Sequence, residues 1–269
     1  MNHSLEQLFS IIYGETKYEN EEHGILFDGE DTENQLLPCD ELDITIITGR
    51  HSPEGLDFSK MPEHIRLFFE LSANAFDAIV RAWMSEQALT AEIIRYGKKI
   101  ITAAKSISTE GLAGELARRK EAEKAAGDWA HPDVKAVQDA SYKVWHETHR
   151  LMGLLRFCPD NKGIYTARCQ PDHFILPALG PHFMERFGDT PWAIIDEKRN
   201  LSLLCLQGER PLLTGYGLNY RLGETAEADG KWEQLWRQYH KTINNESRNN
   251  PGLQKKFIPA RYWKNLTEK

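Results

Sequence analysis

The chain has 269 residues, 41% hydrophobic and 10% aromatic, with a net charge of −7. That length supplies one large domain or two modest ones, and the composition is that of a folded chain rather than a disordered one. No run approaches ~20 consecutive apolar residues, so no membrane-spanning helix is expected, and the start "MNHSLEQLFSIIYGE" lacks the regions of a signal peptide.

Residues 1–60 hold 14 Asp and Glu against 3 Lys and Arg and read as an acidic, variable N-terminal segment. Within it, "LEQLFSIIY" (5–13) has helical apolar spacing, whereas "HGILFDGE" (23–30) and "LDITIITG" (42–49) are short β-rich runs. From Met61 the pattern changes. Ile65, Phe68, Phe69, Phe76, Ile79, Val80 and Trp83 recur three or four apart, which predicts a helix with Pro62 in its first turn. "TAEIIRYGKKIITAAKS" (90–106) predicts a second helix capped by Thr90. The charged, alanine-rich stretch 110–133 fits either a helix and loop or a connector between halves.

Residues 133–153 give the clearest helical signal. Val134, Val137, Ser141, Val144, Thr148, Leu151 and Leu155 fall on one stripe at ~100° per residue. Gly153 then offers an exit, and "LLRF", the turn "CPDNKG" and "IYTARCQ" predict a β-hairpin. Residues 172–188 read as a helix interrupted at Pro177 and at Gly180–Pro181. "PWAIIDEKRNLSLLCLQG" (191–208) predicts a second hairpin that turns over Asp196–Asn200. The expected fold is α+β, with a helical N-terminal half, a strand–strand–helix–strand–strand antiparallel sheet region and a C-terminal helix at 231–243. Residues 61–269 are expected to form this α+β domain.

Cys39, Cys158, Cys169 and Cys205 are scattered without CxxC spacing, which argues against a zinc ribbon or iron–sulfur cluster and fits a reducing cytoplasm. No cofactor is expected. Neither a GxSxG elbow, a Gly-rich phosphate loop nor an HxE…PCxxC deaminase pattern occurs. Residues 143–269 carry 19 Lys and Arg against 14 Asp and Glu, while residues 1–142 carry 14 against 26. That mildly basic back half is compatible with a local anion-binding face.

"VWHETHRLMGLLRF" (144–157) has the look of a broken metalloprotease signature. Two His ligands at i and i+4 on a helix with a Glu between them make such a site. Here Glu147 and His149 point apart by roughly 160° and cannot share one metal-bound water. No metal is expected. What remains are Glu147, His149, Arg150 and Arg156 at a helix-to-strand exit, where converging arginines suit carboxylate or phosphate. His182 and Arg186 lie four apart on one helix face, and "DEKR" places Asp196 three residues before Arg199. The tail "KKFIPARYW" interleaves Lys255, Lys256 and Arg261 with Phe257, Tyr262 and Trp263. Such a tail either stacks unpaired bases or pins the C-terminus to the core.

"HETHRLMGLLRF", "GIYTARCQPDHFILPALGPHFMERF", "PWAIIDEKR" and "LWRQYHKTINNESRNNPGLQKKFIPARYW" together resemble an uncharacterised bacterial family described as DNA metabolism or DNA repair proteins. Its members stand beside a radical-SAM protein associated with DNA repair, or are joined to a domain similar to uracil-DNA glycosylases. The likeness runs over residues 61–269 and is tight from 144 onward. The acidic stretch 14–60 and Asn244–Asn245 depart from the family pattern.

The resemblance implies recognition of DNA or a nucleotide-like anion through Arg150, Arg156, His182, Arg186, Arg199, Arg248, Arg261, Tyr262 and Trp263. Two alternatives stand beside it. One is a non-catalytic partner of a radical-SAM enzyme; the other is a hydrolase or glycosylase-like enzyme on damaged nucleotides, with Glu147, His149 and Asp196 as catalytic groups.

Overall fold

The structure, a computed structural model of the chain, describes residues 4–14, 61–108, 110–160, 162–206, 211–215, 231–248 and 250–265. The β-rich runs expected at 23–30 and 42–49 lie outside the described residues. The chain divides into two compact units. One comprises Met1–Thr148 with His173–Ile175, the other His149–Asp172 with Leu176–Lys269.

The described residues of the first unit are mainly helical. α1 (Leu5–Tyr13) opens with a capping box, in which the Gln7 N–H donates to Ser4 Oγ and the Ser4 N–H to Gln7 Oε1. It ends on Gly14, whose φ of 84° is the left-handed turn that glycine adopts without a Cβ penalty. Where one helix was expected from residue 61, there are two, α2 (Glu63–Leu71) and α3 (Ala73–Trp83). Ser72 separates them. Its backbone is extended, and its hydroxyl accepts the Ala75 N–H at 3.0 Å while donating to Glu123 at 2.7 Å. The apolar period continues across that break, so periodicity alone could not reveal it.

α4 (Thr90–Lys105) begins as expected, but Leu89 holds the cap position and no side chain caps it. Its Gly97 lets Ile12 of α1 pack against the bare backbone. Phe9 stacks on Phe76 at 5.3 Å and tilts against Phe68 at 5.2 Å, forming an aromatic centre for α1, α2 and α3. The stretch 110–133 resolves into α5 (Gly111–Ala126) and a short turn, after which α6 runs from Pro132 to Leu154. Every residue of the apolar stripe predicted for α6 is buried. Asp133 in its first turn takes the Arg95 guanidinium through three hydrogen bonds of 2.8–3.0 Å.

Among the described residues, the second unit carries a five-stranded mixed sheet in the order β1 (Cys158–Pro159), β2 (Tyr165–Cys169), β3 (Trp192–Asp196), β4 (Leu201–Cys205), β5 (Leu212–Gly215). The α+β class stands, but the sheet is not the antiparallel one expected. β2 and β3 are parallel, with Tyr165 opposite Trp192 and Cys169 opposite Asp196. The physical reason is the crossover: α7 (Leu176–Phe187) returns the chain to the end from which β2 started. α7 runs unbroken through Pro177 and Pro181, against the expected interruptions. The other pairings are antiparallel. β1 forms at residues 158–159, later than the "LLRF" expected. Asp160 Oδ1 closes the following turn by accepting the N–H groups of Lys162 and Ile164. Beyond the sheet come α8 (Lys231–Ile243), α9 (Pro251–Phe257) and a 3-10 segment, Ala260–Asn265, that packs on β2.

Candidate nucleic-acid interface

Asp196 and Arg199 are the predicted pair that the fold brings together most firmly. Asp196 ends β3 with its side chain 0% exposed, and its Oδ2 receives Arg199 Nη1 at 2.7 Å. Its Oδ1 accepts the backbone N–H groups of Lys198 and Arg199, an Asx turn that shapes the β3–β4 hairpin. The same guanidinium also donates to the carbonyls of Pro171 (3.3 Å) and Asp172 (2.7 Å). Burial pushes the Asp196 carboxyl above the usual carboxylate range, and the Arg199 charge and hydrogen bond oppose that shift. This cluster holds a loop in place: its carboxylate is out of solvent and its guanidinium is occupied by protein oxygens.

Glu147 has a comparable setting in the first unit. It is buried on α6, and its Oε2 accepts the His173 N–H at 2.8 Å. His173 Nδ1 in turn accepts the Glu86 N–H at 3.3 Å. His149, two residues after Glu147, is exposed, as opposite directions on one helix require.

The remaining predicted residues separate into occupied and exposed groups. Arg156 Nη1 donates to the carbonyls of Gly153 and Leu155, satisfying helix-end oxygens. His182 sits edge-on to Phe183 at 4.8 Å, half-buried. Tyr262 is buried and the Trp263 indole N–H donates to the Ile258 carbonyl at 2.9 Å, so these tail rings pack within the second unit. Arg150 is half-buried, whereas Arg186 and Arg248 are exposed. The side chain of Arg261 lies outside the described residues.

Sequence reasoning missed an exposed apolar stripe on α8. On α8, Leu235, Trp236, Tyr239 and Ile243 fall within ~100° of arc, and all four are exposed, Tyr239 by 54%. Trp236 and Tyr239 hold their rings 5.8 Å apart. Arg237 and Lys241 are exposed as well, on the opposite face of α8. On α9, Phe257 is 62% exposed beside exposed Lys255 and Lys256. Residues 231–265 contain eight Lys and Arg against two Glu, a local excess of +6. The signal was present in the spacing of 232–243, but an apolar stripe on a helix ordinarily reads as core.

No helix among the described residues is long and apolar enough to cross a membrane. Among them, no group of three or more His, Cys, Asp or Glu could hold a metal ion. Residues 109–268 match the model of DUF4130, a domain of unknown function. No curated protein and no solved structure matches the chain.

Proposed function

The chain belongs to the DUF4130 family, and from that premise we propose that it recognises nucleic acid through its C-terminal stretch, residues 231–257, in DNA repair or DNA metabolism. The observation that carries this reading is the make-up of that stretch: exposed Trp236, Tyr239 and Phe257, with exposed Lys255 and Lys256 just before Phe257 in the chain and exposed Arg237, Lys241 and Arg248 in the same stretch. Rings of this kind stack on unpaired bases, and cations beside them meet phosphate. The repair setting comes from the sequence resemblance. Fluorescence anisotropy of labelled single-stranded, duplex and base-damaged DNA across a salt series tests the reading. Binding that weakens with salt by a slope of several phosphates, and less steeply in Lys255→Ala/Lys256→Ala, supports it. Salt-independent or absent binding removes it.

A second reading is a non-catalytic partner of a radical-SAM enzyme. Leu235 and Ile243 favour it, because aliphatic side chains in an amphipathic stripe suit a protein groove better than a base. Under that reading Leu235→Asp and Ile243→Asp abolish co-purification with such an enzyme and leave DNA affinity unchanged. A hydrolase or glycosylase-like activity gains no support from Glu147 or Asp196, since both carboxylates are buried and engaged by protein donors.

A further inference from the structure

A second cluster of rings lies on α6, remote in sequence from the C-terminal stretch. Tyr142, Trp145 and His146 stand at i, i+3 and i+4, a spacing that places them on one helix face. All three pairs are in ring contact. Tyr142 and Trp145 lie 6.0 Å apart at 33°, Tyr142 and His146 5.9 Å at 52°, Trp145 and His146 6.4 Å at 75°. Tyr142 is 61% exposed and Trp145 44%, while Val144 between them is fully buried. The three therefore form an outward ledge on the side of α6 away from its apolar stripe.

From this geometry we infer that the outer face of α6 is a stacking site for an unpaired nucleobase, with Lys143 beside it to meet phosphate. The class of ligand rests on the nucleic-acid reading above; the site rests on its own residues. Rings held against one another have little rotamer freedom left to lose, so a base meets a pre-formed platform. Charge selects among occupants. The carboxylates of α6 within this unit are engaged elsewhere: Asp133 by Arg95, Asp139 by Lys135 at 2.9 Å, and Glu147 by the His173 N–H. None lies between Tyr142 and His146, where the exposed charged side chain is Lys143. A quaternary-ammonium ligand would face that cation, and the Asp139 carboxylate one turn before Tyr142 is already paired with Lys135. An aliphatic protein partner would find rings but no exposed Leu, Ile, Val or Met between Tyr142 and His146. A flat anion-bearing ligand fits both the rings and the lysine. An unpaired base is required, because in a duplex the ring faces are already stacked.

The test uses the full chain and a single-stranded oligonucleotide carrying one 2-aminopurine, whose fluorescence is quenched on stacking against an aromatic ring. We expect quenching on binding, lost in Tyr142→Ala and in Trp145→Ala. Both positions are exposed, and circular dichroism confirms that the variants fold. An abasic site in place of the probe should weaken binding to the unmodified chain about 10-fold and leave the affinity of the two variants unchanged. Quenching that is absent, or undiminished in both folded variants, overturns the ledge. Lys255→Ala/Lys256→Ala separates the two proposals. Normal affinity there with ring-dependent quenching keeps the ledge and removes the C-terminal interface; weakened affinity with quenching indifferent to Trp145 does the reverse.

Discussion

Arg199 Nη1 lies 2.7 Å from Asp196 Oδ2, and the same guanidinium ties down the carbonyls of Pro171 and Asp172. One buried ion pair thereby joins the β3–β4 hairpin to the segment leaving β2, the two parallel neighbours at the centre of the sheet. Its chemistry is that of a brace, and its removal has a pH signature.

Arg199→Met leaves Asp196 buried without its cation. We expect a loss of about 3–5 kcal/mol at neutral pH, the usual effect of breaking a buried pair from one side. Burial already holds the Asp196 carboxyl above its ordinary value, so the folded state binds a proton that the unfolded state has released. Stability from this group therefore falls as pH rises from the ordinary carboxylate value of ~3.9 through the raised one. Loss of the Arg199 charge and hydrogen bond raises the Asp196 carboxyl further, so the deficit of Arg199→Met should shrink as pH falls from the variant's raised value to that of the unsubstituted chain, measured by urea titrations at several pH values. A deficit constant with pH would contradict the assignment.

Gly97→Ala sets two effects against each other. Alanine improves helix propensity by about 1 kcal/mol, but its Cβ would come within 2.6 Å of Ile12 Cδ1 and 2.8 Å of Cγ2. Ile12 is buried and has little room to move. Overpacking of about 1–3 kcal/mol should win, lowering the melting temperature. Adding Ile12→Ala should make the pair cost less than the sum of the single changes.

Thr166→Val is expected to stabilise. Thr166 is buried on β2, and its hydroxyl has no hydrogen-bond partner among the described residues. Valine keeps the β-branched shape that the strand accepts and removes the unsatisfied group, worth about 1 kcal/mol. A rise in the urea midpoint with an unchanged m-value is the result to look for.

Glu147→Ala should cost about 1–3 kcal/mol, because it strands the His173 N–H that Glu147 receives. Glu147→Gln keeps an acceptor oxygen and should cost clearly less. Equal losses in the two variants would mean that the charge, rather than the hydrogen bond, is what the site uses.

Much of the fold was legible in local chemistry. The stripe from Val134 to Leu155 marked α6 because burial on a helix must recur every 3.6 residues. The Asp196–Asn200 turn was readable because Asx side chains and a left-handed asparagine, Asn200 at φ 52°, suit hairpins. Glu147 and Asp196 were singled out as catalytic candidates, and the fold gives each a structural partner that no spacing encodes.

The sequence by itself determined the inward stripe of α6 and the α+β class, and the family match covers the basic half. Those properties depend on period and on composition, which neighbouring residues carry. Tertiary structure decided the rest. Alternation along β2 and β3 is the same whether they pair parallel or antiparallel, so only the crossover through α7 set their direction. The apolar stripe of α8 has the period of a core helix, yet its described residues stand in solvent. Tyr262, predicted for an interface, is inside. An aromatic ring has equal reason to pack or to bind, and the neighbours that the fold supplies decide between them.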